Sequence, residues 1–80
     1  MSIRLKCKTV MDGPGPHEKI VAFGRDDGRE EEVVVPKALS EDDTLPVGRV
    51  AIKDQSVLIE LPVESASGNW RVWVKSDSFS

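Results

Sequence analysis

Residues 19–35 read Lys19-Ile20-Val21-Ala22-Phe23-Gly24-Arg25-Asp26-Asp27-Gly28-Arg29-Glu30-Glu31-Glu32-Val33-Val34-Val35, and they decide the fold. Two runs rich in β-branched residues flank a polar centre, the pattern of two strands and a turn. Asp27-Gly28 supplies the positive φ that such a turn needs. Pro36 has no N–H for a ladder and closes the second strand. The stretch is predicted to be a β-hairpin.

The same punctuation recurs on either side of this stretch. Arg49 to Lys53 and Ser56 to Leu61 flank Asp54-Gln55, a second tight hairpin closed by Pro62. Ile3 to Met11 alternates, with Ile3, Leu5, Cys7, Thr9 and Met11 on one face and Arg4, Lys6, Lys8 and Val10 on the other, and reads as one half-buried strand. Asp12 to His17 is a loop, because Pro14 and Pro16 bar a central strand. Ala38 to Thr44 is the only place for helix. Ser40-Glu41-Asp42-Asp43 resembles a capping box, and Pro46 limits it to one short turn near 39–45. Glu64 to Asn69 is a polar loop, Trp70 to Lys75 is the last strand, and 76–80 reads as a frayed tail.

Eleven valines and four isoleucines suit pleated, half-buried strands. The expected class is all-β: a small six-stranded antiparallel barrel or rolled sheet, SH3-like or OB-like, forming one domain over 1–75 with a tail at 76–80. Eighty residues are too few for two cores, and a chain of this size buries only about 60–65% of its unfolded surface.

Composition removes several classes. A net charge of −3 does not suit a general polyanion binder. One cysteine, Cys7, cannot form an internal disulfide, and Cys7 with His17 cannot make a four-ligand zinc site. No apolar run approaches a membrane helix, and Met1 to Lys8 lacks the apolar core of a signal peptide. The expected setting is reducing and cytoplasmic.

The last strand places Trp70, Val72 and Val74 on one face and Arg71, Trp73 and Lys75 on the other. Trp70 is expected in the core. Trp73, flanked by two cations, either packs against a second layer or a dimer mate, or forms an exposed platform. The charge layout bears on that choice. Residues 1–10 carry three bases and no acid, residues 71–80 carry Arg71, Lys75 and Asp77, and the segment between holds thirteen acids against six bases. If the first and last strands lie side by side, Arg4, Lys6, Lys8, Arg71 and Lys75 gather around Trp73. That is a surface for single-stranded nucleic acid or, more plainly, a solvated face whose lysines protect an edge.

Chemistry is thinly supplied. Cys7 alternates with Ile3 and Leu5 and reads as a small buried hydrophobe, leaving His17 without a nucleophile to activate. Gly13-Pro14-Gly15-Pro16 lacks both the lysine of a phosphate loop and the N–H groups of a phosphate nest. Glu30-Glu31-Glu32 and Glu41-Asp42-Asp43 read as solvated charge and do not match a calcium loop. No catalytic residue, metal or cofactor is expected.

Apolar residues on both faces of several strands point to a partner. Val33, Val34 and Val35 are consecutive, and Val10, Val21 and Phe23 lie opposite the expected core positions. A single sheet of this length cannot cover two apolar faces. The expected function is therefore a non-catalytic protein-interaction domain, a homodimer or the ligand of another protein. The alternative is a single-stranded nucleic-acid-binding barrel using the basic patch, and no membrane association is expected.

Overall fold

The computed structural model describes residues 3–80; Met1 and Ser2 of the expected domain lie outside the described residues. The chain is all-β and antiparallel. Among the described residues there are seven strands: β1 (Ile3–Lys6), β2 (Lys8–Asp12), β3 (Glu18–Gly24), β4 (Glu30–Pro36), β5 (Thr44–Lys53), β6 (Ser56–Glu60) and β7 (Arg71–Lys75). They form a four-stranded sheet of order β1-β5-β6-β7 and a three-stranded sheet of order β2-β3-β4.

Both hairpins form where the turn residues place them. β3 and β4 pair with Val21 opposite Val33, and Gly28 takes φ 87° in the turn. β5 and β6 pair around Asp54-Gln55, with Asp54 at φ 56°. The predicted first strand is instead two strands. Its chain breaks at Cys7, so β1 pairs with β5 and β2 crosses to pair with β3. The break corrects the expected faces: Leu5 is fully buried, but every residue of β2 is exposed, Thr9 and Met11 among them.

One core joins the sheets. Val21, Phe23, Val33 and Val35 of the three-stranded sheet pack with Leu5, Leu45, Val47, Val57, Ile59, Val72 and Val74 of the four-stranded sheet. Val21 and Phe23 are thus core residues, and Ile20 and Ala22 take the outward face. Burying one Leu, Ile or Val side chain contributes about 1.5–3 kcal/mol, so these contacts are the main stabilising force.

The single expected helical turn is two short 3₁₀ turns, Lys37–Leu39 and Glu41–Asp43. Ser40 provides no side-chain cap to either; its Oγ instead lies 3.6 Å from Cys7 Sγ. Cations hold this segment down. Arg4 Nε donates to Thr44 Oγ1 at 2.6 Å and Nη2 to Leu39 O at 3.1 Å, while Lys19 Nζ donates to Ser40 O at 2.7 Å.

Residues 78–80 are tied in rather than frayed. Phe79 bridges Leu5 and packs on the core. Lys6 N–H donates to Ser78 O at 2.8 Å and Ser80 N–H to Arg4 O at 3.1 Å. Two separate gains supply the reason: the ring packs against the core, and the backbone of Ser78 and Ser80 satisfies N–H and C=O groups on the outer edge of β1.

Candidate binding faces

Each sheet spends one face on the core and turns the other outward. Cross-strand register assigns the outward rows. On the four-stranded sheet, Ala51, Leu58 and Trp73 form one row; Lys53, Ser56 and Lys75 lie along one side of it, and Gly48, Glu60 and Arg71 along the other. Arg4 and Lys6 of β1 stand on the same face, alternating with the core residues Ile3 and Leu5.

Four of the six expected binding residues, Arg4, Lys6, Arg71 and Lys75, therefore share a face with Trp73. They do not cluster as expected. β5 and β6 separate β1 from β7, about 14 Å across three strand spacings. Arg4 is committed to Thr44 and Leu39, and Arg71 Nε pairs with Glu60 Oε1 at 3.0 Å. Lys8 lies on the other sheet, where its Nζ meets Glu30 Oε2 at 3.2 Å. The break at Cys7 is what parts it from Lys6. Lys53, which the sequence reading did not single out, joins the basic face through the β5–β6 register.

Trp73 is half-buried and floors a groove of about 360 Å³ with Asp26, Lys53, Asp54 and Ser56. An adjoining hollow of about 400 Å³ is lined by Asp26, Gln55, Ser56, Lys75, Ser76 and Asp77. Asp26 joins the two. Its N–H donates to Trp73 O at 3.0 Å, and its Oδ2 accepts from Ser56 Oγ at 3.0 Å. A carboxylate thus sits among the lysines and reduces the positive potential at the ring.

Trp70 is 54% exposed, not in the core. Trp70 immediately precedes β7, at the open end of the strand where the loop from Glu64 to Asn69 arrives. Its carbonyl accepts from Leu61 N–H at 2.8 Å.

The outward face of the three-stranded sheet is of opposite sign. Met11, Ile20 and Val34 form an apolar row, with Met11 58% exposed. Lys8, Ala22 and Glu32 form the next row, with Glu30 beyond it.

Glu31 is the polar centre that sequence reasoning missed. It shares the inward face with Val33 and Val35 and is only 3% exposed. Its Oε1 accepts from Ser67 Oγ at 2.7 Å, and its Oε2 from Arg25 Nη1 at 3.0 Å and Asn69 Nδ2 at 3.2 Å. Burial pushes its pKa up, but hydrogen bonds from Ser67, Ser65, Asn69 and Arg25 outweigh that and hold it below the usual glutamate value. The arrangement clasps the loop before β7 to β4. The alternation Glu31-Val33-Val35 was the available signal, hidden by the run of three glutamates.

Among the described residues, no three His, Cys, Asp or Glu side chains stand together as metal ligands, and no helix is long and apolar enough to cross a membrane. Fold and faces together describe a two-sheet antiparallel β domain with one basic and one acidic outward face, each centred on an apolar row. No known family, curated protein or solved structure matches the chain.

Proposed function

We infer that the chain is a small non-catalytic protein-interaction domain that associates with itself. The observation that supports this reading is the pair of uncovered apolar rows. Each sheet covers the other on one face only, leaving Met11, Ile20 and Val34 outward on one side and Ala51, Leu58 and Trp73 on the other. A second protein surface covers such rows without leaving a charge buried and unpaired if opposite charges meet at the rim. Half-buried Cys7, the chain's single thiol, fits a reducing, cytoplasmic setting. Light scattering at increasing protein concentration tests the reading: a mass rising above 8.8 kDa supports it, and a constant 8.8 kDa removes it.

A second reading, binding of single-stranded nucleic acid, is favoured by Lys6, Lys53 and Lys75 on the face that carries Trp73. Phosphate contacts give a steep salt dependence and stacked bases quench an indole. Titrating a short oligonucleotide at low salt while following tryptophan emission tests it. An unchanged signal removes this reading.

A further inference from the structure

The two outward faces are alike in layout and opposite in charge. A row of three apolar side chains crosses each sheet, and a row bearing charges runs beside it: Lys53 and Lys75 on one face, and on the other Lys8 and Glu32, with Glu30 beyond them pairing Lys8 and leaving Glu32 as the uncompensated charge. Among the described residues, none of the side chains of Lys53, Lys75 and Glu32 has an ion-pair partner within the chain. Two sheets commonly stack face to face through such apolar rows.

Edges are poorer docking sites than faces. β2 and the distal half of β5 leave edges open, but each ladder shifts register, between Thr9 and Met11 and between Arg49 and Ala51. A bulge breaks the regular spacing of outward N–H and C=O groups that an added strand requires. Like faces are poor mates too. Stacking two basic faces sets lysine against lysine, and stacking two acidic faces sets glutamate against glutamate.

We propose that copies of this chain associate head to tail, the acidic outward face of the three-stranded sheet seating on the basic outward face of the four-stranded sheet of the next copy. The proposal rests on the self-association reading and gives it a geometry. Trp73 and Leu58 meet Met11, Ile20 and Val34, while Lys53 and Lys75 meet Glu32 and join Lys8 around Glu30. Such contacts are heterologous, so the assembly grows as a ring or an open chain rather than stopping at a twofold pair.

Two double variants separate the possibilities: Lys53→Glu with Lys75→Glu, and Glu30→Lys with Glu32→Lys. All four positions are exposed, and circular dichroism of each variant checks that the fold survives. By sedimentation velocity, the wild type is expected to exceed 8.8 kDa and to weaken by roughly tenfold from low to high salt. Each variant alone is expected to stay monomeric at low salt, where each has one face reversed and two faces of like sign. Because reversing both partners restores opposite charges, a single chain carrying all four substitutions is expected to associate again. If the wild type associates but the double variants associate equally well, head-to-tail stacking is overturned while self-association stands. If the wild type stays at 8.8 kDa, both fail, and oligonucleotide binding that needs Lys53 and Lys75 is then the surviving use of the basic face.

Discussion

At the residue scale, Glu31 shows how a small core tolerates a buried charge. Three donors on Arg25, Ser67 and Asn69 surround its carboxylate, and together with the backbone bond from Ala66 N–H to Glu32 O at 2.8 Å they fasten the loop from Ser65 to Asn69 to β4. Glu31→Gln turns one acceptor into a donor facing donors and is expected to cost about 1–3 kcal/mol, read as a lower urea midpoint. The pH dependence has a definite sign. Because the folded-state pKa lies below the unfolded one, the stabilisation is full above the usual glutamate range and is lost as pH falls through the lowered folded value. The gap between wild type and Glu31→Gln is therefore expected to narrow as urea melts are repeated below about pH 4. The tryptophans divide in the same physical terms. Trp70→Ala removes an exposed loop side chain and should change stability by no more than about 0.5 kcal/mol, whereas Ile59→Ala at the fully buried centre should cost about 2–5 kcal/mol in the same melts.

At the element scale, the hairpins were legible because their turns are local. Asp27-Gly28 and Asp54-Gln55 carry their own conformational demands, and the structure places both turns there. Asp54 sits at φ 56°, so Asp54→Val is expected to cost at least about 1 kcal/mol and Asp54→Gly close to nothing, as compared by thermal unfolding. What was not legible depends on distant partners. Nothing between Ile3 and Met11 marks Cys7 as the point where the chain changes sheets. The inward face of β3 was ambiguous because Ile20 and Ala22 are as apolar as Val21 and Phe23. Trp70 was misplaced because alternation within β7 does not show that the core ends short of the residue before the strand, where Trp70 is 54% exposed. The pairing of Phe79 with Leu5 also lies beyond local pattern. Phe79→Ala is expected to cost about 2 kcal/mol and to raise hydrogen exchange at the Lys6 amide, whose acceptor is Ser78 O.

At the scale of the molecule, a net charge of −3 conceals a division between faces. The sequence showed basic ends around an acidic middle, and the sheet order redistributes that pattern, carrying Lys8 of the basic end to the face of Glu30 and Glu32 and bringing Lys53 of the middle to the face of Lys6 and Lys75. The candidate residues Arg4, Lys6, Arg71 and Lys75 were legible by alternation. Their separation was not, because it follows from β5 and β6 entering between β1 and β7. Concentration-dependent amide shifts in the NMR spectrum report which faces meet when copies associate. Stacking of opposite faces predicts shifts in both Met11, Ile20 and Val34 and Ala51, Leu58 and Trp73, shrinking together as salt is added. Shifts confined to one of these faces, or none at any concentration, contradict it.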